Sequence, residues 1–164
     1  MTNIAAGNMA PGFSLKSLDD KEYSLGKLLR RSPVVLAFFK ISCPVCQFTF
    51  PFIERLYQRY HSEDVSFIGV SQDNAAHTKD FAKQFGVNFP LLIDEKDYPV
   101  SNGYGLTMVP TFFLIDTDGK VRVSCMGFGK AELEQIAKEL AERRNIAMAP
   151  LFAAAEKVPD HKPG

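Results

Sequence analysis

The chain contains no tryptophan and only three cysteines among its 164 residues. Three cysteines are too few for a disulfide scaffold, and the odd number leaves at least one thiol outside any pair. There is no excess of charge of either sign, with 19 Lys and Arg against 19 Asp and Glu. That balance argues against nucleic acid or a membrane surface as partner. No apolar run approaches the length that spans a bilayer. Met1 to Ala10 lacks a basic region followed by a long apolar stretch, so it does not read as a secretory signal. The expectation is a cytoplasmic protein, or a periplasmic one if an upstream sequence has been removed. Nor is there an internal repeat or a second domain. The length suits one domain that buries a core without disulfide staples.

What the chain does have is a hydrophobic share of 46% that includes 14 Phe, which predicts a Phe-rich interior. It also has Cys43-Pro44-Val45-Cys46, placed directly after the apolar run Val34–Phe39 and before a segment with helical periodicity. At a strand-to-helix junction the free amides of the first helical turn favour negative charge, so a thiolate forms there more readily than in free cysteine. Cysteines in such motifs have pKa values of roughly 3.5–7.5 in place of about 8.5. The second thiol follows one helical turn later, within reach of a mixed disulfide on the first. Cys43, at the edge, is the expected nucleophile, and Cys46, inside the first turn, the expected resolving thiol. Lys40 adds to thiolate stability if its ammonium comes near.

Residues 1–10 read as a loose lead-in, 11–146 as the folded domain and 147–164 as a tail. The alternation around Phe13 and Leu15, the turn at Asp19-Asp20 and the pattern at Tyr23 and Leu25 predict a short N-terminal hairpin. Val34–Phe39, apolar throughout, predicts a central strand covered on both faces. The segment from Pro44 predicts a broadly apolar helix kinked at Pro51, with Glu54, Arg55 and Arg59 as its solvated face. A strand over 65–70, a helix from Ala75 to Phe85 capped by Asn74 and closed by Gly86, and a strand over 91–93 follow. A polar connection then leads to a strand over 111–115. The Asp118-Gly119 turn, a strand over 121–125 and an amphipathic helix from Lys130 to Arg144 complete the domain. The tail, with three prolines and an Ala run, is expected to add little to the core. Alternating strands and helices imply an α/β layered domain whose first strands are parallel.

With this order of elements, the chain resembles the thioredoxin superfamily. Within it, the likeness is to the TlpA/ResA-like thiol–disulfide oxidoreductases grouped with the AhpC/TSA redoxin proteins. The residues that carry it are Ala10-Pro11-Gly12-Phe13-Ser14-Leu15, Cys43-Pro44-Val45-Cys46, Val109-Pro110-Thr111, Leu114-Ile115-Asp116 with Asp118-Gly119, and Gly127. The resemblance implies a thioredoxin-like fold: a central mixed β-sheet flanked by helices, with an N-terminal β-hairpin extension. It implies a cis bond before Pro110, facing the cysteines, and a Val109 backbone that receives an extended substrate chain. The sequence departs from the family at Ser42, where Trp usually precedes the first cysteine, and at Ala37, where thioredoxin has a buried Asp. Lys40 has no counterpart there.

The resemblance implies that Met108, Val109, Pro44, Val45 and Phe128 form an apolar rim around the cysteines, suited to docking an extended polypeptide. Met108 and Phe128 are equally readable as core. Cys125, in phase with Val121 and Val123, reads as a small buried residue or as a regulatory thiol. A zinc site would need ligands beyond the pair, and only Cys125, His61, His77 and His161 are on offer. The function expected is therefore disulfide exchange with protein substrates, fed by an upstream thiol electron donor, without a bound cofactor or metal, in a monomer or weak dimer. The alternatives are a peroxiredoxin-like thiol peroxidase and a non-catalytic binding module. Peroxidases use a Pro-x-x-x-Thr-x-x-Cys frame. Counted back from Cys43, Lys40 and Leu36 stand where Thr and Pro belong; counted from Cys46, the residues are Cys43 and Phe39.

Overall fold

A computed structural model of the chain describes residues 3–62 and 64–164. The antiparallel hairpin β1 (Ser14–Lys16) and β2 (Glu22–Ser24) comes first, turning through Asp20 at a positive φ of 63°. A five-residue helix, α1 (Leu25–Leu29), follows at once, capped by the Ser24 hydroxyl, which accepts from Lys27 N.

The central strand β3 (Val34–Phe39) is buried along its whole length. Helix α2 (Pro44–Tyr60) returns the chain to β4 (Ser66–Ser71), and α3 (Ala75–Phe85) returns it to β5 (Leu91–Ile93). Parallel neighbours need such crossovers, and β3, β4 and β5 are parallel. A second short helix, α4 (Pro99–Gly103), leads to β6 (Thr111–Ile115) on the other side of β3. Strand β7 (Val121–Met126) then pairs with β6 through the Asp118-Gly119 turn. The sheet order is β5-β4-β3-β6-β7, mixed as expected. The two-residue β8 (Phe128–Gly129), α5 (Lys130–Arg143) and β9 (His161–Lys162) complete the chain, with β9 antiparallel to β8.

Both faces of β3 are covered, which explains a run without polar alternation. Val35, Ala37 and Phe39 face the side packed by Phe50, Ile53 and Leu56 of α2, Phe81 of α3 and Leu133, Ile136 and Leu140 of α5. Val34, Leu36 and Phe38 face Leu25, Tyr104 and Phe113. The rings of Phe39 and Phe50 lie 4.4 Å apart, and those of Phe39 and Phe81 4.8 Å. Each fully buried side chain of this kind stabilises the fold by roughly 1.5–3 kcal/mol relative to exposure. At Gly69 a Cβ would strike the Leu91 side chain, so glycine lets β5 pack this closely on β4.

Four sequence expectations require correction. The described part of the lead-in, residues 3–10, is tied to the domain: Ile4 N donates to Tyr104 O at 3.1 Å, Gly7 N to Val121 O at 2.8 Å and Ala10 N to Gly119 O at 2.9 Å, while residues 1 and 2 lie outside the described residues. Tyr104, itself buried, donates its hydroxyl to Pro11 O at 2.7 Å. The tail contributes to the core through Leu151, which is 1% exposed, and through Phe152, whose ring lies 4.9 Å from that of Phe52. The Glu54, Arg55 and Arg59 face of α2 is not simply solvated. Glu54 is buried and accepts from Asn88 N at 2.8 Å and Asn88 Nδ2 at 2.9 Å, while Arg59 donates to Pro150 O at 2.8 Å. Finally, the connection before β6, expected only as a polar link, holds α4, introduced by Tyr98 in left-handed conformation at φ 48°.

Candidate active site

Cys43 is the N-cap of α2, in extended conformation, with Pro44 at the first helical position, where its missing N–H costs nothing. The Cys43 Sγ accepts from Cys46 N at 3.1 Å, the interaction a capping oxygen makes elsewhere. Cys43 is half-buried, whereas Cys46 is 0% exposed. Desolvation on burial is the main force pushing the Cys46 thiol far above its ordinary value, followed by its interaction with Cys43. Cys46 is thus held as a neutral thiol beneath Cys43, and of the two sulfurs Cys43 is the more accessible.

The segment before the cysteines is pinned from two sides. Ile41 N donates to the Asp73 carboxylate at 2.8 Å, and Ile41 O accepts from Gln47 Nε2 at 2.9 Å. Across from the helix, the Val109–Pro110 bond is cis, as the resemblance implied. Thr111 Oγ1 donates to Met108 O at 2.9 Å and Gly127 N to Pro110 O at 2.7 Å, which fastens this loop to the end of the sheet. The Cys43 thiol lies 3.4 Å from the Val109 carbonyl oxygen, to which it donates. Helix N-terminus, thiol and cis-proline loop therefore meet at one point.

The expected rim is only partly formed. Pro44 is exposed, and Val45, Met108 and Val109 are half-buried around the cysteines. Phe128 is not part of it. Phe128 as a whole is 0% exposed: its ring packs 5.0 Å from Phe48 and 5.9 Å from Phe52, and its backbone pairs with Lys162 of β9. Lys40 directs its ammonium over the Tyr98 ring, 5.6 Å from the centroid, and with Gln72, Tyr98, Asn102, Met108 and Val109 lines an open cavity of about 220 Å³. Cys125 is buried on β7, and burial, followed by the nearby Glu132 carboxylate, raises its pKa. Sequence reasoning missed Asp73, Tyr98 and the residues of β9. An acidic residue just past a strand end was a visible signal for Asp73; nothing local marked the others.

The chain is similar to known proteins. The AhpC/TSA family model matches residues 6–124. The thiol-disulfide oxidoreductase ResA of Geobacillus thermodenitrificans is 36% identical over 122 residues, covering 74% of this chain and 69% of its own. The structure of MTB dsbF, in mixed oxidized and reduced forms, aligns with a TM-score of 0.68 at 26% identity, covering 79% of this chain and 93% of that one. The thioredoxin domain of a thiol-disulfide oxidoreductase from Bacteroides vulgatus aligns with a TM-score of 0.74 at 21% identity, over 84% of this chain and 99% of that one, a likeness of fold. The chain belongs to the AhpC/TSA family. It is a thiol–disulfide oxidoreductase of thioredoxin-like fold that carries the paired cysteines Cys43 and Cys46.

Proposed function

We propose that the chain reduces disulfides in extended polypeptides, with Cys43 as nucleophile and Cys46 as resolving thiol. The observation that carries this reading is the asymmetry of the pair. One sulfur is accessible, capped by a helix amide and next to a backbone carbonyl; the other is sealed beneath it. The Cys43 thiolate attacks one sulfur of a substrate disulfide, forming a mixed disulfide and releasing the other substrate sulfur as a thiolate that takes a proton. Cys46, after losing its proton, attacks Cys43 Sγ. The Cys43–Cys46 bond forms and the second substrate thiol leaves. The substrate gains two electrons and two protons, and a dithiol donor returns them to the pair. Val109 and Pro110, with Met108, Pro44 and Val45, hold the incoming chain extended, as backbone pairing at a sheet edge does.

The test is a trapping experiment. Cys46→Ser incubated with a disulfide-containing protein accumulates a mixed disulfide through Cys43, visible by mass, while Cys43→Ser accumulates none. Purified protein also reduces insulin disulfides faster than it consumes peroxide. The absence of any Cys43 adduct in the Cys46→Ser protein would remove the reading.

A further inference from the structure

The edge that receives a substrate already has an occupant. Residues 149–164 run back along α2 and end at the cis-proline loop. Their course is fixed at three points. Arg55 holds the Glu156 carboxylate, Phe152 packs on Phe52, and Lys130 N donates to Asp160 O at 3.0 Å. From there β9 pairs with β8 in the register Gly129↔His161 and Phe128↔Lys162. The Lys162 ammonium sits 4.5 Å from the centroid of the Phe48 ring, a cation–π contact on the redox helix.

Two glycines locate the last residues. A Cβ on Gly127 would collide with the Lys162 carbonyl and would lie 3.1 Å from Gly164 N. A Cβ on Gly164 would collide with the Val109 carbonyl and would lie 3.3 Å from Met108 Sδ. The same Val109 oxygen is 3.4 Å from Cys43 Sγ. Gly164 and the nucleophilic thiol thus crowd one carbonyl, the backbone group that an extended substrate would use.

We propose that residues 160–164 are an intramolecular occupant of the docking edge formed by Val109, Gly127 and Phe128, and that a polypeptide substrate must displace them before Cys43 can attack. The proposal rests on the disulfide-exchange reading and specifies its regulation. The strap is built to yield. It is held by a two-residue ladder, the Lys130 N–Asp160 O hydrogen bond and one surface cation–π contact, whereas the anchors behind it, Leu151, Phe152 and Glu156, remain in place when it lifts. Only the fraction of molecules with the strap lifted binds an extended chain, so apparent affinity falls by that fraction. A small disulfide, which needs no backbone pairing, reaches the half-exposed Cys43 without lifting it.

The experiment compares residues 1–164 with a chain ending at Pro159, which keeps Leu151, Phe152 and Glu156 and removes the strap together with its Lys130 N–Asp160 O hydrogen bond. Expected is a rise of at least about threefold in kcat/KM for insulin reduction, as for any device that hides most of the competent state. Reaction with hydroxyethyl disulfide changes much less. Equal insulin rates in the two proteins would overturn the strap alone. Loss of insulin reduction by both would instead remove the disulfide-exchange reading beneath it. A second measurement needs no deletion. In Cys46→Ser carrying a cysteine peptide disulfide-linked to Cys43, the His161 ring resonances shift to those of a freed tail, while unchanged resonances would count against displacement.

Discussion

Arg55 grips Glu156 through two nearly parallel hydrogen bonds, 2.8 Å from Nη1 to Oε1 and 2.9 Å from Nη2 to Oε2, joining α2 to the tail. The planar guanidinium matches a carboxylate in this paired mode, and Arg55 Nη1 also donates to Leu151 O at 2.8 Å. The Arg55 hydrogen bonds, aided by the Ala153 amide, hold the Glu156 carboxyl down to about 2 from an ordinary 4.5. A carboxyl depressed in the folded state stabilises fully above its unfolded value, and that stability is lost as pH falls through the folded one.

Glu156→Gln should therefore melt at a lower temperature than the parent at neutral pH. The gap should close between about pH 4.5 and about pH 2, the two values that bound the carboxyl's titration. Both partners are about one-third exposed, 35% and 32%, so solvent screening keeps the neutral-pH difference small. Thermal melts followed by circular dichroism across that range provide the check. A gap that stays constant with pH would show that the ion pair contributes nothing as a charge pair.

The three thiols should separate by reactivity. Cys46 and Cys125 are buried and free, and burial raises both of their pKa values, so neither presents a thiolate at neutral pH. Brief iodoacetamide treatment of the reduced native protein should add one label, on Cys43, and treatment in denaturant should add three. Peptide mass mapping reads the sites. Equal labelling of Cys43 and Cys46 in the native protein would contradict the asymmetry on which the nucleophile assignment depends.

The parts of the fold legible in the sequence are those specified by neighbours along the chain. Asn74 caps His77 N at 2.8 Å and Gly86 ends α3 at φ 67°, both at the positions their residue types predict. The continuous apolar run gave β3 and the cysteine motif gave the site, because strand burial and helix capping leave local patterns. Helices α1 and α4 have only five residues each, too short for a hydrophobic period to register. The course of the tail was not legible either. Its prolines and alanines carry no periodicity, and the forces that fix it come from Arg55, Phe52 and the edge of β8, far away in sequence. Glu54 misled for the same reason, since its partner Asn88 is 34 residues away.

That long-range pair makes a prediction of its own. Glu54 is 8% exposed, and it satisfies both the backbone and side-chain nitrogens of Asn88 in the segment leading to β5. Glu54→Ala removes that acceptor, but Asn88 is itself exposed and its Nδ2 keeps Gly86 O at 3.2 Å, so the cost is that of a net hydrogen bond, about 0.5–1.5 kcal/mol. Urea denaturation should show a midpoint lowered accordingly with an unchanged slope. Glu54→Gln, which keeps one acceptor oxygen, should recover part of the loss. A fully stable Glu54→Ala protein would mean that water replaces the carboxylate without cost.

The direction of electron flow follows from how strongly the reduced pair is stabilised. Strong oxidants of this fold have a reduced form held down by a much-stabilised thiolate, which makes their disulfide eager to accept electrons. Among the described residues, the Cys43 sulfur accepts one protein amide, from Cys46 at 3.1 Å, and the Lys40 ammonium is turned to Tyr98 and away from a pairing role. Stabilisation of that limited kind places the couple nearer thioredoxin's value of about −270 mV than the about −120 mV of a strong oxidant. Equilibration in dithiothreitol redox buffers, followed by mass analysis of trapped thiols, measures it. In the same assay Lys40→Met should leave the potential within about 30 mV of the parent, a shift equivalent to 1.4 kcal/mol. A couple found near −120 mV would reverse the proposed direction, making the pair a donor of disulfides while leaving Cys43 the sulfur that substrates meet.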